Sequence, residues 1–589
     1  MKQVKVVAVM ILSFGTALAA LGSTSSAQEK KSKDALLAGF FKTYLDEWFA
    51  LEPLAATRNG DHRFDANLDD ISPAGRAAKL EFDRKTLKSL ATLFKTEDFS
   101  RDSRIDYEIF KQNLERSIWL TENFKPYEED PRVYGDYLTE SVYLLLTQST
   151  LPKAENLKNA LSRMTFIPKI IEVAKSTIKN PAKVKTETAI RQTQGAIAFY
   201  SEEIFNLTGA PKGEGELADK ARANVAALED YLSFLKSNVL PTANESWRIG
   251  KDLFAKKLDL ELDSGISADE VLAEAESEAN RVEREMAVIA RQLWGTTFPG
   301  EVIPPDDADG RRLMTQKVLS ALGKDHGKPE NLVVDARSSV GAIKTFITKK
   351  RILTLPDPDQ CAIIEMPEFM RGNSVAYLNP APPLDDTARS EYAISPPPSD
   401  WKPARVESFL QEYNRAMLQI LTIHEAYPGH YVQLAYSNRN PSLIRKVLSS
   451  GTFAEGWAVY TEQMMLDQGF GEGDLSLRLH QLKFYLRAVV NAILDRKMHA
   501  EGLTDEQALE LLMGRAFQTE GEAVGKIIRS KQSSCQLSTY FVGRVAFYRL
   551  RQSVQRNQGE RFNLGRYHEA VLSHGTLPVK YLPELVTHP

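Results

Sequence analysis

Apolar residues recur at helical spacing along most of this chain, and that periodicity limits the fold more than any other feature. Leu36, Phe40, Tyr44, Leu45 and Phe49 mark the first such stripe, on the i, i+4, i+8 pattern of a half-buried helix. Helical patterns dominate residues 30–245, with runs at 75–95, 103–123, 155–175, 186–206 and 215–238. A turn-rich stretch, Gly60 to Asp70, interrupts them early. Further helices are read over 267–293 and near 311–322, on either side of a Pro- and Asp-rich loop from Pro299 to Gly310. The pattern changes near 351. Cys361–Ile364 is a short apolar run of strand character and Val375–Leu378 reads as a second. Pro380, Pro382, Pro383 and Pro396–Pro398 then mark irregular backbone. Helix returns over 403–423, 453–467, 476–499, 504–517, 541–554 and 565–573. No internal repeat or low-complexity linker punctuates the chain. The fold class expected is mainly α, a large multi-helical body with a small β element just before residue 403.

Composition excludes several alternatives. At 43% hydrophobic and 26% charged residues, the 589-residue chain is neither disordered nor fibrous, and 33 Gly is far too few for a collagen. Lys and Arg total 74 against 78 Asp and Glu, so no charge surplus points to nucleic acid. The start, Met1-Lys-Gln-Val-Lys5 followed by an apolar run to about Leu21 and small residues to Ala27, has the order of a secretory signal peptide. Cleavage is expected after Ala27, with Ala17-Leu18-Ala19 as a second candidate. No Cys lies nearby to carry a lipid. The apolar run is too short and too broken to span a bilayer. The mature protein is thus expected to be exported, periplasmic or secreted, with no integral membrane segment. Export permits a disulfide, yet Cys361 and Cys535 are the only pair, and two buried free thiols is the simpler reading.

With only 9 His in the chain, their placement is informative. Two fall in Leu421-Thr-Ile-His424-Glu425-Ala-Tyr-Pro428-Gly429-His430. A His followed at once by Glu on a helix is how zinc hydrolases pair a metal ligand with a general base. Their second His normally returns to the same face after four residues, a position held here by Pro428. His430 is six residues on, about 120° around a regular helix from His424. Pro428 lacks an N–H and Gly429 tolerates unusual backbone, so the intervening residues are expected to bulge out and let the helix resume with His430 facing His424. A later run, Thr452-Phe-Ala-Glu455-Gly-Trp-Ala-Val-Tyr460-Thr-Glu462, puts two carboxylates seven positions apart on one face. Glu455 sits in an apolar stretch where a lone carboxylate is costly. A metal ion or a buried Arg would settle that cost. Glu462 is a surface acid or an orienting partner for one of the histidines.

His-Glu-x-x-Pro-Gly-His followed by Glu-Gly-Trp-Ala-x-Tyr-x-Glu resembles the bacterial DUF885 family, whose members look like zinc metallopeptidases related to the gluzincins. Glu52-Pro53 to Gly60, Leu68 to Pro73, Tyr377-Leu-Asn-Pro380, and Phe562 to Pro578 are similar to its other segments, so the resemblance spans most of the mature chain. It implies a gluzincin-like body with the small sheet beside the active-site helix. It also implies one Zn2+ held by His424, His430 and Glu455, with Glu425 as base and Glu462 behind a histidine. Asp495 and His499 resemble the family's Asp and His one helical turn apart. Asn491 stands where Arg is usual, although Arg487 lies a further turn back. Gln536 to Gly543 resembles a Ser-Tyr-Lys-x-Gly run with Phe541 in place of Lys. Tyr540 is a donor to a reaction oxyanion or a tyrosine at the core edge; His499 is a substrate contact or a structural hydrogen-bonding group. Tyr377 stands on the strand against which a peptide backbone could pair. His568 and His574 read as structural, and His62, His326, His480 and His588 as solvated or incidental.

These residues lead to three expected regions: a signal peptide over 1–27, a helical region over 28–350 forming one wall of a cleft, and a catalytic region over 351–589. The expected function is zinc-dependent hydrolysis of short peptides. Amide or ester hydrolysis of a non-peptide substrate, and a non-catalytic periplasmic scaffold, are the alternatives.

Overall fold

The computed structural model of the chain describes residues 26–366, 376–399 and 401–586. Nearly all of the expected leader, Val375 and His588 lie outside them. The body is mainly α, as its periodicity implies, with one three-stranded sheet. Helix Ala268–Thr297 shows how the sequence builds such elements. Ser267 caps it reciprocally with Glu270, and Val271, Ala275, Ala279, Val282, Met286 and Ala290 form its buried stripe. The expected helix over 155–175 is in fact two, Lys153–Met164 and Ile167–Thr177, because Pro168 fits only a first turn. The run 403–423 is likewise split, since Asn414 caps a new helix by accepting from Met417 N–H.

The sheet corrects the reading of the segment after 380. Strands β1 (Cys361–Glu365), β2 (Ala376–Asn379) and β3 (Ser390–Ile394) are ordered β1-β3-β2. Central β3 pairs parallel with β1 and antiparallel with β2. The prolines around β3 mark its flanks, while Tyr392, Ala393 and Ile394 between them are fully buried. Six helices complete the neighbourhood of the site: α1 (Arg415–Glu425), α2 (His430–Asn438), α3 (Gly451–Asp467), α4 (Leu475–Ala500), α5 (Glu520–Gln532) and α6 (Thr539–Gln558). Two of the three apolar cores draw residues from both sides of position 350. One joins Phe41 and Phe110 to Ile420, Trp457 and Phe547; another joins Val282 and Met286 to Leu486 and Ile493. The third lies among residues 54–239. Both thiols are free as expected, but only Cys535 is buried; Cys361, on edge strand β1, is half-buried. Among the described residues no helix is long and apolar enough to cross a membrane.

Two histidines read as incidental are structural. His480 is buried: its Nδ1–H donates to Ser476 O, and its Nε2 accepts from the Asn414 amide that belongs to the α1 cap. His62 bridges Asp65 and Asp385, tying the N-terminal helices to the loop before β3. His568 is fully buried, donating from Nδ1 to Ile352 O and accepting from Tyr460 OH, both at 2.8 Å. Burial pushes its pKa down to about 3, and that of His480 to about 4. Both imidazoles are neutral in the fold, whereas the unfolded chain protonates them near pH 6.5. Their stabilising contribution is therefore complete above pH 6.5 and lost as pH falls toward 3 to 4. For His568 the loss on going from pH 7.5 to pH 5 is about 2 kcal/mol. Urea unfolding in chelator at both pH values should show a correspondingly smaller acid loss for His568→Phe. Equal losses in the two proteins would contradict the assignment.

Candidate metal centre

Helix α1 ends with His424 and Glu425, and α2 begins with His430. Between them the helical ladder is interrupted and then resumed. Gly429 N–H reaches back six residues to Ile423 O at 3.0 Å, and Gln433 N–H bonds Gly429 O to restart the regular pattern. The two extra residues are accommodated as a bulge, as the Pro-Gly pair implies. The need for glycine, however, is one of space. At φ −70° the backbone of Gly429 is not left-handed, but a Cβ there would lie 1.9 Å from the His424 carbonyl oxygen. The Trp457 indole N–H holds the bulge against α3 by donating to Pro428 O at 2.8 Å.

The bulge turns both imidazoles to one point. Their rings meet edge to face at 4.8 Å, and Glu455 Oε2 lies 3.7 Å from His424 Nε2 and 3.4 Å from His430 Nε2. One ligand atom from each residue falls within 4.8 Å of the others. Glu462, two helical turns along α3, is fully buried and accepts from His424 Nδ1–H at 2.7 Å. That bond orients the ring with Nε2 toward Glu455, the arrangement of a histidine ligand backed by a carboxylate. Gly456 permits α3 to touch α6: a Cβ there would lie 2.4 Å from the Gly543 backbone. The glycines of the Glu-Gly-Trp and Tyr-Phe-Val-Gly runs are thus two sides of one helix contact.

The donor set fits a zinc ion. Glu455 Oε2 and Glu462 Oε2 are buried with no hydrogen-bond partner. Tetrahedral ligands at about 2.0 Å from one ion lie about 3.3 Å apart, close to the separations from Glu455. Charge points the same way. Burial would raise Glu455, yet the two imidazoles outweigh it and hold the carboxyl well below its usual range. Burial would lower His424, yet Glu455 and Glu462 raise it well above its ordinary value. The acids around His424 favour a positive charge there, which a metal ion would supply in place of a proton.

Glu425 is half-buried beside the cluster, and its Oε2 accepts from Leu378 N–H at 3.0 Å. The outer edge of β2 therefore faces the site, but one of its donors is engaged by Glu425. The Tyr392 hydroxyl, 3.1 Å from Thr422 Oγ1, ties β3 to α1 from the other side. Tyr377 points into a cavity of about 450 Å³ shared with Asn379, Glu391, Tyr143 and Gln148. Tyr540 is half-buried at the start of α6, within electrostatic reach of Glu455 and 3.4 Å from Arg529 Nη2. Asp495 accepts from Cys535 N–H and Ser538 Oγ, which secures the turn leading into α6. His499 is not brought to the cluster. Its Nε2–H points at the carbonyls of Ser530 and Ser533, its ring packs on Phe254 and Trp247, and it borders a separate cavity of about 780 Å³. Sequence reading missed α5 altogether, because Gly521 and Gly525 weaken its helical pattern. Its Lys526 and Arg529 went unnoticed with it.

This chain belongs to DUF885. The model of that family, described as a bacterial protein of unknown function, matches residues 53–586. A candidate lipoprotein of unknown function from Shewanella oneidensis is 30% identical, with a TM-score of 0.79 over 96% of this chain and 100% of its own. A candidate lipoprotein from Colwellia psychrerythraea shares the fold at 18% identity, with a TM-score of 0.77 over 94% of this chain and 98% of its own. No curated protein matches the chain.

The purified DUF885 chain should bind one equivalent of zinc by metal analysis. Glu462→Gln is expected to weaken that binding about 10–100-fold. Gly429→Ala should displace the His424 carbonyl and cost about 1–3 kcal/mol of stability together with the metal. Undiminished zinc affinity in both variants would contradict the geometry.

Proposed function

We propose that this chain is a zinc-dependent hydrolase of peptide bonds, gluzincin-like in its site, with His424, His430 and Glu455 as ligands and Glu425 as general base. The observation that carries the reading is the placement of Glu425. It follows a ligand histidine directly, lies beside the ligand cluster, and has one carboxylate oxygen fixed by Leu378 N–H. His424, His430 and Glu455 would hold the zinc ion, which when bound would supply Lewis acidity and bring the pKa of a water down to about 7.

The chain's own groups do the rest. Glu425 takes the proton of the attacking water on the oxygen not held by Leu378 and passes it to the leaving amine. The Tyr540 hydroxyl, pushed up to about 12 mainly by burial, stays protonated at neutral pH and donates to the developing oxyanion. Glu462 keeps the His424 ring in place. Asp495 and His499 act as positioning residues: Asp495 holds the turn before Tyr540, and His499 holds the end of α5. Tyr377 meets the substrate from the cavity beside β2. Tyr143 and Gln148 in that cavity support the 28–350 region as one wall of the cleft. The two lipoprotein-like relatives and the leader-like N-terminus support a periplasmic or secreted location.

Glu425→Gln should retain stoichiometric zinc and lose hydrolysis of a fluorogenic peptide panel by about 10²–10⁴-fold. Full activity in that variant would overturn the mechanism. Cleavage of ester or non-peptide amide substrates alone would overturn the substrate class.

A further inference from the structure

Four cationic side chains gather on α4 and α5 next to the metal centre: Lys483, Arg487, Lys526 and Arg529. Two carboxylates answer them. Glu412 accepts from Lys483 Nζ through both oxygens at 2.8 Å, and Glu522 Oε2 lies 3.0 Å from Arg487 Nη1. Lys526 and Arg529 have no salt-bridge partner among the described residues. Arg529 Nη2 donates to two neutral groups, Gln536 Oε1 at 2.9 Å and Tyr540 OH at 3.4 Å. Half-buried Lys526 has its pKa lowered to about 7, by burial first and then by Arg487 and Arg529. The carboxylates that Lys526 senses, Glu522 and Glu455, are already engaged by Arg487 and by the two imidazoles, and exposed Arg529 has only neutral partners, so neither cation has a carboxylate of its own.

This surplus borders the metal centre. Phe484 stacks its ring edge to face with His424 at 5.7 Å, and the Arg487 guanidinium lies 5.4 Å from the centre of the same ring. Tyr540, in contact with Arg529, and Lys526 both interact electrostatically with Glu455. We infer that Lys526 and Arg529 form the anchor for the free C-terminal carboxylate of a peptide held across the metal centre. A carboxylate supplies the missing charge, and Arg529 is suited to hold it through two N–H groups. The site is then that of a carboxypeptidase, in which the bond cleaved lies a short fixed distance from the chain end. This assignment rests on the peptide-hydrolase reading for its substrate class, while the anchor itself is testable by binding alone.

The test uses the zinc-loaded full-length Glu425→Gln protein and fluorescently labelled N-blocked tetrapeptides of Ala and Phe, prepared as free acids and as C-terminal amides. Equilibrium binding by anisotropy should favour the acids by about tenfold or more. The preference should collapse in the Lys526→Met/Arg529→Met double variant, with zinc content as the control for folding. Equal binding of acid and amide, or no binding of either at millimolar concentration, would overturn the anchor. So would tight binding of an amide whose last residue is Glu, because a side-chain carboxylate would then be the ligand. Failure of the wild-type protein to cleave peptides while the acid preference persists would remove the hydrolase and leave the anchor standing.

Discussion

The bulge between Glu425 and His430 is the constraint on which the rest of the site depends. In an unbroken helix the two imidazoles would face different neighbours. The six-residue reach of Gly429 N–H to Ile423 O re-phases them, and it requires that nothing larger than hydrogen stand where Gly429 meets the His424 carbonyl. The Trp457 indole locks the bulge to the helix that brings Glu455 and Glu462. That helix reaches its place only because Gly456 and Gly543 let α3 and α6 approach to backbone contact. The His424, His430 and Glu455 cluster, the carboxylate that orients His424 and the start of the Tyr540 helix are therefore parts of one packing solution.

The same packing sets the electrostatics. Two carboxylates and an imidazole buried together are unfavourable without compensation, and breaking one partner of a buried charged pair typically costs about 3–5 kcal/mol. Around His424 the compensation called for is a cation. One helix away the demand is reversed, since Lys526 and Arg529 call for an anion. A metal ion at the first place and the terminal carboxylate of a bound peptide at the second would satisfy both at once. On this view substrate and metal complete a charge pattern that the fold leaves open.

Most of the helical architecture was legible from local periodicity, and the His424, His430 and Glu455 cluster from residue spacing together with the family resemblance. The bulge was readable from Pro428 and Gly429, and the shared face of Glu455 and Glu462 from their spacing of two helical turns. What escaped reading depended on distant partners. Strand β3 was hidden among prolines, and only its pairing with β1 and β2 reveals Tyr392 to Ile394 as the centre of a sheet. His480 looked incidental because its partner is the cap of a helix 66 residues away in sequence. His499, singled out by its spacing from Asp495, proved to be occupied by carbonyls of α5 and the turn after it. No periodicity could have shown that Lys526 and Arg529 lack carboxylate partners, since that is a property of the assembled charge cluster.

The relatives of known structure share this fold over nearly their whole length. The central claim is that this body holds one zinc ion with two imidazoles and a carboxylate. X-ray absorption at the zinc edge of the purified protein addresses it most directly. The account expects one zinc with nitrogen and oxygen neighbours at about 2.0 Å, a two-imidazole signature and no sulfur. Sulfur ligation, or a protein that takes up no zinc while correctly folded, would contradict it.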